Sequence, residues 1–379
     1  MRIAIITQGR SHLINLAREL NKKKDLEVTF YTMMPQSRCK KFGYDGNVVS
    51  CLFPIGILSV LIEKIPFLNP YRLSYLRIRL RLFFDRWVSW QLRKCDVLIG
   101  LNGTAVKTSL RAKKKYGAIT FCDQGSSHIL KQDEVRRSYT THEPPRLNTD
   151  YMLKHYEVSD YLMTACEYVK QSDIEQGVSS DRIFVNPYGV DLNVFKPTMK
   201  PNDDDESYGV IMVGAWWKHK GCDMLADACI NKLGIKLLHV GTVIDCELPQ
   251  SPLFKHIGFV TESELPNYYS KAKVFAMPSL DEGFGLVLLQ AAACGLPTVA
   301  SARTGEPDME KLLGNPLGCS TIEEPLSSET IASAIKLALS RADNLPQGER
   351  IQYGKFVNNI SWEAYGERYY RILKELTEQ

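Results

Sequence analysis

The chain has 379 residues, more than one hydrophobic core usually serves, so two domains are expected. Hydrophobic residues at 44% and charged residues at 24% exclude a disordered or fibrous chain. A net charge of +4 is too small and dispersed to indicate nucleic acid, and ten cysteines without a C-x-x-C pair or Cys/His cluster indicate reduced thiols in a cytoplasmic protein.

"MRIAIITQGR" opens with a buried strand over Ile3 to Ile6 that ends in a glycine turn. That run is too short for the apolar region of a secretory signal. "SHLINLARELNKKK" places Leu13, Leu16, Ala17 and Leu20 on one helical face. "EVTFYT", "CDVLIGLNG", "AITFCDQG" and "SDYLMTA" read as further strands, and their alternation with helices predicts a parallel sheet with right-handed connections. The apolar stretch "CLFPIGILSVLIEKIPFL" is broken by Pro54, Glu63, Lys64 and Pro66, so it does not span a bilayer, although it could dock a lipid tail. Residues 71–94 mix arginines with Leu, Phe, Trp87 and Trp90. Two readings stay open there: a buried helix with solvated arginines, or a basic aromatic helix at an anionic membrane surface. RNA is a poorer partner, since no nucleic-acid module accompanies the charge.

"KPTMKPNDDDES", Lys196 to Ser207, has the prolines and acids of a linker and divides a first domain, 1–196, from a second, 197–360. A second α/β series follows in "YGVIMVGA", "IKLLHVG", "KHIGFV", "KVFAMPS" and "LPTVAS". Residues 361–379 read as an amphipathic helix with Ser361 as its N-cap. Two Rossmann-like parallel-sheet domains facing a central cleft are expected, with ligands beyond the carboxyl ends of the strands.

"DEGFGLVLLQAAACGLP", Asp281 to Pro297, carries the most chemistry. Gly283 and Gly285 let backbone approach a ligand, and the helix that follows presents unpaired N–H groups that attract phosphate. Glu282 stands at the mouth of the turn. Gln290 lies eight residues on, roughly 12 Å at ~1.5 Å per residue, the reach from a sugar ring across a diphosphate to a ribose. The plainer reading is a strand–turn–helix joint with Ala291 to Ala293 packed on the sheet.

The stretch resembles the E-x7-E motif of retaining glycosyltransferases with the GT-B fold, family 4 (group 1). Glu282, Gly283, Phe284, Gly285, Gly295 and Pro297 match, while Gln290 replaces the second acid. "RIFVNPYGVDLNVFKP", "VGAWWKHKGCDML", "HIGFVTESELPNYYSKAKVFAMPS" and "SWEAYGERYY" are similar to four further family segments, in the expected order. The resemblance implies an α/β GT-B fold whose last helix crosses back to the first domain. It implies transfer of a sugar from a nucleotide-diphosphate sugar to a saccharide or lipid-linked acceptor in glycan biosynthesis, with no metal and no further cofactor. Carried over, Glu282 would bind donor hydroxyls, and the N–H groups of Phe284, Gly285 and Leu286 would hold sugar or diphosphate. Gln290 would bind the ribose, Lys220 would stabilise the departing diphosphate, and main chain near Phe259 and Val260 would face the base.

Two positions depart from the pattern. Ala215 stands where the family has arginine, so Lys218 or His219 would supply the missing charge. Gln290 keeps one carbonyl acceptor where a carboxylate has two oxygens. In the first domain His128, in "TFCDQGSSHI", resembles a family histidine that reaches the donor sugar, with Asp123 a weaker candidate nearby. A structural role for His128 stays open. Gly9 resembles the glycine loop that faces the diphosphate, while Arg10 and His12 read first as a surface turn, with contact to acceptor or phosphate as the other reading. A nucleotide-sugar epimerase and a non-catalytic nucleotide-sugar binder remain as alternatives, the latter favoured by Ala215 and Gln290.

Overall fold

The computed structural model describes residues 1–50, 70–140, 144–197, 207–314, 318–346 and 348–378. The proposed lipid-tail segment therefore lies outside the described residues, as does most of the linker. The chain divides into two units, each built on a parallel sheet.

The first unit comprises Met1–Ala165, Val169–Asn186 and Tyr365–Gln379. Its strands are β1 (Arg2–Ile6), β2 (Glu27–Thr32), β3 (Asn47–Ser50), β4 (Val97–Leu101), β5 (Ile119–Asp123), β6 (Tyr161–Thr164) and β7 (Ile183–Val185). They pair in the order β3-β2-β1-β4-β5-β6-β7, all parallel. Ile3, Ile5 and Ile6 are buried without alternation, as a central parallel strand covered on both faces requires. The helix His12–Asn21 starts at Ser11, whose hydroxyl accepts the Leu13 N–H, and buries Leu13, Leu16, Ala17 and Leu20.

The second unit comprises Cys166–Tyr168 and Pro187–Ala364. Its strands are β8 (Tyr208–Val213), β9 (Leu237–Val240), β10 (Phe254–Ile257), β11 (Ala272–Met277), β12 (Thr298–Ser301) and β13 (Cys319–Ile322), in the parallel order β10-β9-β8-β11-β12-β13. Val210, Met212, Val274, Ala276 and Val299 meet Ile331 and Ile335 of the helix Ser328–Asp343 in one buried cluster.

The chain enters the second unit at Pro187, ahead of the proline- and acid-rich segment. Packing explains this early entry: the Val190 N–H donates to Ile360 O at 2.8 Å, and the Phe195 ring lies 6.3 Å from Tyr269. The helix Trp362–Thr377 begins as expected, with Ser361 Oγ accepting the Ala364 N–H at 3.0 Å. From Tyr365 onward it belongs to the first unit, where the Tyr369 phenol donates to Asp123 at 3.1 Å.

Candidate functional site

In the second sheet the strand order reverses between β8 and β11, where an open α/β sheet receives ligands beyond its carboxyl ends. The loops leaving those two strands are 214–221 and 278–285. Gly221 has φ +66°, and a Cβ there would sit 2.3 Å from Pro278 O, so only glycine permits this approach. The Leu280 N–H donates to His219 O at 2.9 Å. Clamped in this way, the loops bring Lys220 Nζ into an ion pair with Glu282 Oε2. The two side chains keep 20% and 21% of their surface open, enough for a ligand to reach both. Burial pulls the Lys220 pKa down to about 8, while Cys222 and the Asp281 carboxylate nearby favour the charged form.

Trp216 anchors the first loop. Its indole is buried 4.8 Å from the His239 ring and 5.1 Å from Phe254, and its Nε1–H donates to Glu247 O at 3.1 Å. The Lys218 amide donates to the Asp245 carboxylate at 2.8 Å, which leaves the exposed Lys218 side chain at the rim. The His219 ring stacks on Trp217 at 4.7 Å, so of the two candidates to replace the missing arginine, Lys218 has the more adaptable reach.

The second loop is held from below. The Tyr168 phenol donates to the buried Asp281 carboxylate at 2.8 Å, and the Cys166 thiol donates to Gly283 O at 2.8 Å. The Glu282 N–H donates to Arg303 O at 3.0 Å. Nothing in the local sequence signals Cys166 and Tyr168, because they lie more than a hundred residues before the loop they support. Tyr168→Phe leaves a buried acceptor short of one donor, so it is expected to cost roughly 1–3 kcal/mol, read by thermal unfolding. An unchanged melting temperature would mean that Asp281 is satisfied without it.

Phe284 points its ring into the core beside Tyr188 and under Gly305, so only its main chain can face a ligand. Gly285 adopts φ +89° with Met277 Cε 2.5 Å from where a Cβ would stand, and the helix Leu286–Ala293 starts directly after it. The first N–H groups of that helix have no partner within it and make an anion-binding edge. Leu286 is exposed at this edge. Gln290 is nearly buried, with Oε1 accepting the Tyr269 phenol at 3.3 Å, so one lone pair and the amide N–H groups remain for a hydroxyl. Val260 is half-buried after β10, beside Phe259, whose ring is 79% exposed.

In the first unit the order reverses between β1 and β4. Gly9 lies past the end of β1 with nothing within 4 Å of the space a Cβ would take. Arg10 lies over the Phe42 ring at 4.7 Å on the surface, as expected of a turn. His12 corrects the surface-turn expectation: its Nε2 meets Asp123 Oδ1 at 2.5 Å, with side chains 7% and 2% exposed. The helix that begins at His12 lays its first turn against the end of β5, which closes this pair. His128 caps the helix Ile129–Tyr139, its Nδ1 accepting the Leu130 N–H at 3.3 Å and its ring lying 4.6 Å from Tyr156. Burial lowers its pKa to about 4, so at neutral pH the ring is uncharged with its proton on Nε2. It can donate a hydrogen bond to a hydroxyl but brings no charge to a phosphate.

Residues 207–340 match the family model described as glycosyl transferases group 1. The D-inositol 3-phosphate glycosyltransferase of Paenarthrobacter aurescens is 30% identical over 147 residues, 33% of this chain and 36% of the relative. The chain thus spans little more than a third of that relative's length. Sucrose-phosphate synthase from Thermosynechococcus elongatus superposes with a TM-score of 0.65 at 16% identity, covering 100% of this chain and 99% of that one. Anabaena HepE in complex with UDP-glucose superposes with a TM-score of 0.60 at 15% identity, covering 99% and 100%. The fold of the chain is that of these proteins, the two-sheet GT-B fold.

Proposed function

We propose that the protein is a retaining, metal-independent glycosyltransferase of family 4. It takes a sugar from a nucleotide-diphosphate donor and adds it to a saccharide or lipid-linked saccharide. The observation that carries this reading is the Lys220–Glu282 pair at the reversal point of the second sheet, beside the N–H edge of the helix Leu286–Ala293. The group 1 match over the same segment and the UDP-glucose bound by HepE support it.

In this reading Glu282 accepts hydrogen bonds from the sugar hydroxyls, and the N–H groups of Phe284, Gly285 and Leu286 meet the diphosphate. Lys220, joined by Lys218 at the rim, balances the charge that grows as the leaving group departs. The bond from the anomeric carbon to the diphosphate oxygen breaks, and its electron pair goes to the nucleotide. The acceptor oxygen bonds to the same face of that carbon, and its proton passes to the departing phosphate. Gln290 binds the ribose, and main chain at Val260 faces the base. The first unit binds the acceptor, with His128 donating to a sugar hydroxyl.

Ala215 and the Tyr269-bound Gln290 favour a second reading, a nucleotide-sugar binder without turnover. A thermal-shift screen of nucleotide sugars followed by incubation with radiolabelled donor separates the two. One donor is expected to raise the melting temperature and to lose its sugar to acceptor or, slowly, to water. Saturable binding without sugar release would establish the binder, and no response to any nucleotide sugar would remove both readings.

A further inference from the structure

The helix Pro70–Gln91 is fixed on the first unit by one face. Phe84 and Val88, with Leu92 just past its end, are buried in the cluster that holds Ala4, Ile6, Tyr31 and Leu98. On the same side, buried Asp85 accepts the N–H groups of Lys107 at 2.7 Å and Thr108 at 3.0 Å, which caps the next helix. This packing determines which residues the other face presents.

Leu76, Phe83 and Trp90 are 38%, 48% and 70% exposed on that face. They recur every seven residues, and a straight helix drifts only ~20° per heptad, so the three side chains form one stripe about 21 Å long. Arg79 and Arg86 follow Leu76 and Phe83 by three residues and share their face; exposed Arg93 continues the series beyond the helix. The Arg79 guanidinium lies over the Tyr75 ring at 5.0 Å and donates to its hydroxyl at 2.7 Å, which holds the cation beside the apolar stripe. Among the described residues Arg79, Arg86 and Arg93 have no carboxylate partner, and the one acid of 70–94 is the buried Asp85.

We infer that this face docks on an anionic lipid surface. An acid-free row of arginines asks for a negative partner, and the apolar side chains between them ask for something to be buried in. Nucleic acid would satisfy the cations but leave Leu76 and Phe83 in water. A bilayer interface satisfies both, because headgroup phosphates lie level with the guanidiniums and acyl chains lie beneath. Trp90 brings an indole, which favours that boundary. No described helix is long and apolar enough to cross a membrane, so the contact is with the surface. The inference is independent of the proposed sugar transfer.

The test is flotation of the full chain with vesicles. Binding is expected to phosphatidylcholine vesicles containing phosphatidylglycerol, to fall at high salt, and to be absent with phosphatidylcholine alone. Arg79→Glu with Arg86→Glu, and separately Phe83→Ser with Trp90→Ser, are each expected to lower the bound fraction by ~tenfold or more while the melting temperature holds. As a milder probe, brominated acyl chains should quench the intrinsic fluorescence of the bound protein, and Trp90→Phe should remove most of that quenching. No binding to anionic vesicles, binding unaffected by either pair of substitutions, or quenching unchanged in Trp90→Phe would overturn the inference. So would retention on RNA, with the same sensitivity to the arginine substitutions and no vesicle binding.

Discussion

Replacing Glu282 with alanine is expected to lower kcat for sugar transfer by about a thousandfold, while donor affinity changes by less than about tenfold. The asymmetry follows from the pair that Glu282 makes with Lys220. In the free site part of the ammonium charge is spent on the carboxylate. Removing the carboxylate costs the donor its hydroxyl contacts but leaves Lys220 freer to attract the diphosphate, so the two changes oppose each other in binding. They do not oppose each other in the transition state, where the sugar must be held as the bond to phosphate lengthens. Glu282→Gln keeps the length and one acceptor oxygen of the side chain while losing the charge and the second acceptor, so it should retain more activity than alanine. Single-turnover kinetics with donor titration separates kcat from affinity. A kcat unchanged by Glu282→Ala would rule out the site.

Much of this arrangement is legible in the chain itself. The central strands are runs such as "RIAII" and "VLIGL", buried on both faces and therefore continuously apolar. The loop bearing Glu282 announces itself through two glycines between a strand and a helix. What escapes a sequence reading is of two kinds. The edge strands β3, β7 and β13 have three or four residues each and are only partly buried, so neither an apolar run nor a strict alternation marks them. The Tyr168–Asp281 and His12–Asp123 contacts join residues more than a hundred positions apart and depend on how strand ends meet in space. The domain boundary shows a further limit. Prolines and acids mark where the chain is polar, whereas the change of unit at Pro187 is set by Val190 and Phe195 finding partners in the second core.

Lys220 carries the second large effect, and its sign can be worked out. Its pKa of about 8 in the free protein reflects burial, and a bound diphosphate, doubly anionic and close by, raises it. Binding therefore takes up a proton wherever free Lys220 is neutral. Donor affinity is expected to be flat below a pH of about 8 and to weaken by up to about tenfold per unit above it. The stability of the free protein should move the other way. A lysine with a folded pKa below its unfolded value of about 10.4 makes the unfolded chain bind more protons in that interval, so stability rises from a pH of about 8 toward 10.4. Opposite slopes for affinity and stability cannot come from unfolding. Lys220→Ala should abolish the break in the affinity profile and lower kcat/KM by about a hundredfold or more, because no fixed cation then faces the leaving phosphate. Calorimetric titration of the donor across this pH range, with the alanine variant alongside, reads both effects. A break that persisted in Lys220→Ala would assign it to another group and leave the lysine without the role argued for it.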